Sequence, residues 1–453
     1  MSRKAILLLI IFFCSLAAAA APRPVVMISI DGLRPDYITH ADEHGLAIPH
    51  LRRFLAEGTY AEGVTGVLPT VTYPSHTTLV TGVEPARHGI VNNTVFDPML
   101  KNMSGWYWYA QDIRVPTLWD AAAGAGLVTA SVGWPVTVGE KNIRYDLPEY
   151  WRAGIDEDRK LLRAVSTPGL VEEMEASFGP YPNGEQTDVA SDEVRTKVTL
   201  RLLSKYHAQF LTLHLSALDH IQHGTGPFSK EACAVLEQLD GQVGRLVEGA
   251  LANDPQTVVL VVSDHGFVRT DHRVNLLVPF VAQGLIQIQR PASAFSDHPR
   301  IVGWEASPWS AGGSAAIVLA HPDDEKMYAK TKALLTQLAA DSRNGIARVV
   351  EKEEAAKMGG FPGAAFVVEF AAGYQMGYGF DGPVLTPAPS TGMHGYFPDR
   401  PDLRASFFAR GNGIAAHRDL GVVDMRRIAP TVAAILGVKL PSAKMDALAV
   451  GSE

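Results

Sequence analysis

The sequence predicts an α/β fold on an open parallel sheet, and three observations carry that reading. Pro24–Ile30 (PVVMISI), Gln209–Leu215 and Thr257–Ser263 are continuous apolar runs rich in β-branched residues, the mark of strands buried on both faces. Helical patterns alternate with them at Ile48–Glu57, Thr77–Thr81, Thr117–Gly124, Asp192–Tyr206 and Lys230–Leu251. Each run also delivers a carboxylate at or just past its C-terminal end: Asp31, Asp219 and Asp264. Open α/β sheets place their sites along that edge.

The elements follow in order. Arg3 and Lys4 form a positive start, Ala5–Leu16 a short apolar core, and Ala17–Ala21 a small-residue tail, so residues 1–21 read as a signal peptide cut near Ala20 or Ala21. The apolar run is short for a span, which needs roughly 20 residues, and an uncleaved anchor is the competing reading. Cleavage removes Cys14 and leaves Cys233 alone, so no intrachain disulfide forms and core packing and bound metal must stabilise the chain. Residues 22–274 form the first part of the main domain. Over 275–390 the texture changes to short strands (Ala315–Leu319, Ala365–Phe370) and helices (Asp324–Ala340, Lys352–Met358), a small α+β insertion. Residues 391–453 resume the main domain with Ser406–Ala409 and Met425–Leu436.

At 453 residues, with 47% hydrophobic and 19% charged, the chain has material for a large core and is not a disordered polymer. Net charge is −8 and the basic residues are scattered, which leaves no nucleic-acid footprint. No segment of the mature chain is long and apolar enough to span a membrane, and an exported, periplasmic or secreted protein is expected. Composition gives no oligomeric state.

Four separated segments supply metal-type ligands: Asp31; Asp219 and His223 in LDHIQHGTGP; Asp264 and His265 in VVSDHG; and His394 in GMHGY. Asp219 and His223 share a face if their stretch is helical. Three carboxylates with three imidazoles suit zinc. Singly, each residue reads as a cap or a core histidine; together they read as a metal centre. LPTVTYPSHTTLVTG adds Thr70, Thr72 and Ser75 just before an apolar helix. A helix N-terminus stabilises phosphate oxygens, and a hydroxyl there becomes a nucleophile when a metal lowers its pKa. The plainer alternative is that these hydroxyls only cap the helix.

Taken together, IDGLRPDY, PTVTYPSHTTLVTGVEPARHGIVNN, LDHIQHGTGP, VVSDHG and MHGY resemble, in order and over nearly the whole mature chain, the nucleotide pyrophosphatase/phosphodiesterase family of the alkaline phosphatase superfamily. The resemblance implies a mostly parallel central sheet flanked by helices and two zinc ions per chain. It implies Thr72 as nucleophile, Asp31, Thr72, Asp264 and His265 around one zinc, and Asp219, His223 and His394 around the other. Asn93 matches the residue that holds a non-bridging phosphoryl oxygen. Ser75 and Tyr73 depart from the asparagine and phenylalanine common at those places.

A phosphodiester or nucleotide substrate needs an apolar or aromatic pocket for its second organic group. Tyr73, Trp106 and Trp108 are candidates for stacking, with core packing as the alternative for the two tryptophans. A monoesterase needs an extra cation, for which Lys141 and Arg144 are candidates. The expected activity is therefore phosphodiester or pyrophosphate hydrolysis through a phosphothreonine. A phosphomonoesterase with the same threonine is one alternative, and an inactive zinc or phosphate binder another. Histidines 76, 88, 214, 220 and 272 read as structural or as supports for the ligands.

Overall fold

The computed structural model describes residues 22–102, 105–150, 156–182, 186–290 and 299–451. The expected signal peptide lies outside the described residues. The main sheet has eight strands: β1 (Val25–Ile30), β2 (Thr59–Tyr60), β3 (Thr129–Val132), β4 (Tyr145–Leu147), β5 (Phe210–Leu215), β6 (Val258–Val262), β7 (Phe407–Gly411) and β8 (Arg418–Asp419). Their spatial order is β8-β2-β7-β6-β1-β5-β3-β4. The run β6-β1-β5-β3-β4 is parallel, and β7 joins antiparallel to β6. The mixed α/β architecture with a mostly parallel sheet is as the sequence predicts.

Strand periodicity explains why β1 is apolar throughout. Val26, Ile28 and Ile30 face one layer, with Leu51 and Phe54 of α1 (Pro49–Glu57), Val198 and Leu202 of α3 (Val189–Tyr206), and Leu236 and Val243 of α5 (Lys230–Asn253). Val25 and Met27 face the other, with Leu79 and Val80 of α2 (Thr72–Thr81) and Ile428 and Val432 of α6 (Ile428–Leu436). Alternate residues thus serve two cores.

Beyond β6 lies a smaller unit. It holds a four-stranded antiparallel sheet (Ala306–Ser310, Ser314–Leu319, Phe366–Phe370, Ile346–Glu351), whose core includes Leu335 from the helix Glu325–Ala340. A three-stranded sheet has Val268–Val274 between Gly373–Met376 and Leu385–Met393. The strand Val268–Val274 precedes the expected boundary at residue 275. Only its alternate residues Val268, Thr270 and Val274 are buried, and the intervening Arg269, Asp271 and Arg273 deny it the continuous apolar run of the central strands. Among the described residues no helix is long and apolar enough to cross a membrane.

Candidate active site

Level strand ends bring the ligand candidates together. In the parallel register Ile30 pairs with Leu215 and Ser29 with Val262, so Asp31 and Asp264 leave neighbouring strands at one height. The Gly32 N–H donates to Asp264 Oδ1 at 3.1 Å. Gly32 sits at φ +68°, and a Cβ there would lie 2.6 Å from the Phe267 ring, so the Asp-Gly step requires glycine. The helix α4 (Ala217–Thr225) starts right after β5 and puts Asp219 and His223 on one face, with His223 Nε2 3.5 Å from Asp219 Oδ1. His394 follows the strand Leu385–Met393. Gly395 at φ +83° then lets the backbone pass where a Cβ would come 1.5 Å from the Ala311 carbonyl oxygen. His394 Nε2 lies 3.8 Å from Asp219 Oδ1, and its ring stacks on His265 with centroids 3.7 Å apart.

The donor atoms are prepared for a cation. His223, His265 and His394 each donate Nδ1–H to a backbone carbonyl, of Gly392, Gly266 and Thr70 respectively, all at 3.2 Å. That fixes the tautomer and leaves each Nε2 lone pair for a metal. Among the described residues Asp31 Oδ1, Asp219 Oδ1 and Asp264 Oδ2 are buried and accept no hydrogen bond of regular geometry, though His265 Nε2 lies 3.0 Å from Asp264 Oδ2. Buried polar atoms are seldom left so. One ligand atom each from Asp219, His223 and His394 lie within 4.8 Å of one another, and so do those of Asp31, Asp219 and His265. Asp219 therefore stands in both groups, where the family resemblance implies one.

Electrostatics agree. Burial, reinforced by Asp264 and Asp219, pushes the Asp31 carboxyl well above the usual carboxylate range. Burial alone would lower His265, but Asp264 and Asp31 raise it to about 9. The crowded carboxylates thus favour positive charge at the cluster. His394 is pushed well below the ordinary imidazole value by burial and then by His265 and His223.

A buried ion pair sets α4. Asp192 on α3 accepts from the Ser216 and Ala217 N–H groups at 3.2 and 2.9 Å, satisfying donors at the start of the helix that carries Asp219 and His223. Arg195 Nη1 donates to the same carboxylate at 2.7 Å. Asp192→Ala is expected to cost about 3 kcal/mol in urea denaturation, because the buried Arg195 loses its anionic partner and the helix start its acceptor. A loss under about 1 kcal/mol would show that the pair does not set this helix.

The three candidate hydroxyls separate. Thr70 Oγ1 donates to the Tyr396 carbonyl at 2.8 Å, tying this segment to the His394 loop. Ser75 Oγ is fully buried, and neither residue lines the cavity. Thr72 opens α2 and lines a cavity of about 230 Å³, its Oγ1 3.4 Å from His265 Nε2. The N-cap is Val71, and no side chain caps the helix. The Tyr73 N–H donates to Asn93 Oδ1 at 2.9 Å, so that N–H is engaged and Asn93 has its Nδ2 donors for the cavity.

A buried polar chain runs behind Thr72. Tyr73 Oη donates to Glu149 Oε1 at 2.9 Å, Glu149 Oε2 lies 2.7 Å from His214 Nδ1, and His214 Nε2 lies 2.9 Å from Asp31 Oδ2. Burial works against a charged His214, but Glu149 and Asp31 raise it well above the usual value. His76 holds the Thr72 carbonyl and Ser29 Oγ, each at 2.9 Å, and burial lowers it to about 4. His88 accepts from the Ile90 N–H through Nδ1 and meets Thr78 Oγ1 of α2 through Nε2, each at 3.1 Å, and His272 pairs with Asp271 away from the site. His220 lines the cavity.

Glu149, Thr187 and Ser216 also line the cavity and were not singled out. For Glu149 the signal lay in DLPEYW, beside the basic residues that drew attention instead. Of the aromatic candidates, Trp106 lines the cavity. Trp108 does not: it is buried in a cluster with Tyr73, Ile90 and Val136 and offers no stacking face. Tyr73 borders the cavity but is fully buried, its ring against Trp106 and Trp108, so it too lacks a face for stacking. Lys141 and Arg144 are exposed and line no part of the cavity.

A family model for type I phosphodiesterase / nucleotide pyrophosphatase matches residues 25–396. The chain belongs to this family. Among curated members of the phosphodiesterase family, human ectonucleotide pyrophosphatase/phosphodiesterase family member 1 is 25% identical over 254 residues, covering 54% of this chain and 23% of that one. Human bis(5'-adenosyl)-triphosphatase ENPP4 is 26% identical over 274 residues, covering 59% and 53%. The match thus spans about half or less of these relatives. The fold is that of murine ectonucleotide pyrophosphatase/phosphodiesterase 5, solved as an inactive threonine-to-alanine variant in complex with AMP, with TM-score 0.64, 18% identity, and 95% and 97% of the two chains covered.

Proposed function

We propose that the chain is an exported phosphodiesterase or nucleotide pyrophosphatase that works through Thr72. The observation that carries this is the Thr72 hydroxyl, the cavity-lining one of the three candidates, set at the first turn of a helix beside the Asp/His cluster. Export is supported by the leader-like start and by the "ecto" in a relative's name.

Two divalent cations, zinc by the mixed oxygen and imidazole donors, held by Asp31, Thr72, Asp264 and His265 and by Asp219, His223 and His394, would lower the pKa of the Thr72 hydroxyl and offset charge on the phosphate and the departing oxygen. Thr72 Oγ attacks phosphorus in line, and its proton passes through solvent to the departing oxygen. The Oγ–P bond forms as the bond to the leaving oxygen breaks, and Thr72 carries the phosphoryl with the retained organic group. Water then attacks the same phosphorus, its oxygen staying on the released phosphate, and the Oγ–P bond breaks as one of the water's protons restores the Thr72 hydroxyl. Asn93 Nδ2 donates to a non-bridging oxygen, its Oδ1 held by the Tyr73 N–H. The leaving group faces the Asp219, His223 and His394 side, and the retained group the Asn93 and Trp106 side.

Diesters are favoured over monoesters because no lysine or arginine lines the cavity and Glu149 does. The further negative charge of a monoester would meet an anion. The AMP in the murine structure and the bis(5'-adenosyl) substrate in a relative's name make nucleotides the first compounds to test. The purified protein is expected to hydrolyse bis-p-nitrophenyl phosphate more efficiently than p-nitrophenyl phosphate, and to lose both activities to chelator. Equal or greater efficiency on the monoester would overturn the assignment.

Metal also enters the folding equilibrium. A cation that binds these carboxylates and imidazoles in the folded chain alone stabilises it, and each ion at 100 times its Kd adds about 2.7 kcal/mol. Zinc added back to chelated protein is expected to raise Tm by several degrees, read by calorimetry. An unchanged Tm would count against both sites.

A further inference from the structure

The cavity beside Thr72 has walls of different character. The Tyr107 N–H donates to the Asn93 carbonyl at 3.0 Å, which puts Trp106 beside Asn93 on one wall. On the α4 side the lining is Thr187, Ser216, Asp219, His220 and His223, each with a nitrogen or oxygen to offer. Helix geometry accounts for most of this side. Ser216 is the N-cap residue of α4, and Ser216, Asp219 and His223 recur at i, i+3 and i+7, so one helix face meets the cavity. Ser216 therefore stands one turn before Asp219. Its side chain makes no capping bond to the helix, so the hydroxyl has no structural duty there.

Buried Arg195 brings the two hydroxyl residues together. Its Nη1 donates to Ser216 Oγ at 3.2 Å, and its Nη2 donates at 3.1 Å to the carbonyl of Gln186, the residue before Thr187. Because Ser216 Oγ accepts from the guanidinium, its own proton points away from it. Ser216 and Thr187 are 6% and 5% exposed, and that exposure is to the cavity they line. A hydroxyl so buried is favourable only when hydrogen-bonded. Arg195 is spent on Asp192, Gln186 and Ser216, and neither it nor any lysine lines the cavity. Beyond Asp219 this wall thus offers neutral hydrogen bonds and no fixed positive charge.

We propose that Ser216 and Thr187 bind the alcohol that leaves phosphorus, and that this alcohol is an uncharged polyol, a glycerol or a sugar. The inference rests on the phosphodiesterase reading above, in which the leaving oxygen departs on the Asp219 side. Hydroxyls next to that oxygen reach one helical turn back to Ser216 and Thr187, each of which both donates and accepts. A plain alkyl leaving group would strand the two side-chain hydroxyls, and a leaving phosphate would meet no fixed cation on this wall. The helix that carries Asp219 and His223 thereby also selects the leaving group.

Glyceryl propyl phosphate tests this within one molecule, since its two arms have equal carbon chains and differ only in hydroxyls. The ratio of glycerol to propanol released does not depend on how much of a variant is folded. Wild-type protein is expected to release glycerol in large excess. Ser216→Ala and Thr187→Val are each expected to lower the ratio about fivefold to tenfold, the scale of one hydrogen bond. A ratio near one in wild-type protein, or one that neither variant moves, overturns the polyol assignment. So does hydrolysis of bis-p-nitrophenyl phosphate without hydrolysis of the glyceryl diester, and in all three cases the phosphodiesterase reading stands. Wild-type protein that cleaves neither compound overturns that reading, and the polyol assignment with it.

Discussion

Thr72→Ala is expected to lower kcat/KM on bis-p-nitrophenyl phosphate by about a thousandfold or more, the scale of losing a nucleophile whose hydroxyl nothing nearby replaces. The fold should be untouched. Thr72 is the first residue of α2 and its side chain makes no capping bond, and alanine suits a helix, so the thermal midpoint should stay within a few degrees. Thr72→Ser keeps an oxygen at the same place and is expected to retain activity within about tenfold to a hundredfold, because the nucleophile survives with a freer rotamer. Acid-quenched wild-type protein should carry the retained group's phosphoryl on the peptide containing Thr72. Near-native turnover by Thr72→Ala would remove the assignment.

Asp219→Ala is expected to have the widest effect on metal content, because its carboxylate contributes an oxygen to both donor groups. Metal analysis after dialysis should fall from about two ions per chain to under one, with activity down about a thousandfold. His223→Ala touches one group and should lose about one ion, since His265 and Asp31 keep their own partners. If Asp219→Ala and His223→Ala gave the same metal content, the overlap of the two groups at Asp219 would be refuted.

The parts of the molecule that could be read from residues are those governed by local periodicity. β1, β5 and β6 were legible because strands buried on both faces are apolar at every position, and α4 only as a condition, in the one-turn spacing of Asp219 and His223. The strand Val268–Val274 was not, since a half-buried strand with Arg269, Asp271 and Arg273 outward resembles a loop. Nor was Glu149, whose role depends on contacts with residues 65 and 76 positions away. Whether an aromatic residue stacks on a ligand or fills a core depends on which face neighbours cover. GWYWY could nominate Trp106 and Trp108 but could not separate them; burial against Tyr73, Ile90 and Val136 decides Trp108. His214 could be read as polar within an apolar strand, and its partners appear only once β5 is set beside β1.

The chain from Tyr73 through Glu149 and His214 to Asp31 has a mechanical consequence. It fastens the backbone next to the attacking oxygen to a carboxylate at the end of a different strand, with every joint buried and hydrogen-bonded. Helix and strand therefore move as one piece, and thermal jitter in one is shared by the other rather than widening the gap between them. Tolerance at the reacting centre is set by this strut, three of whose members, Tyr73, Glu149 and Asp31, form part of the cavity wall itself.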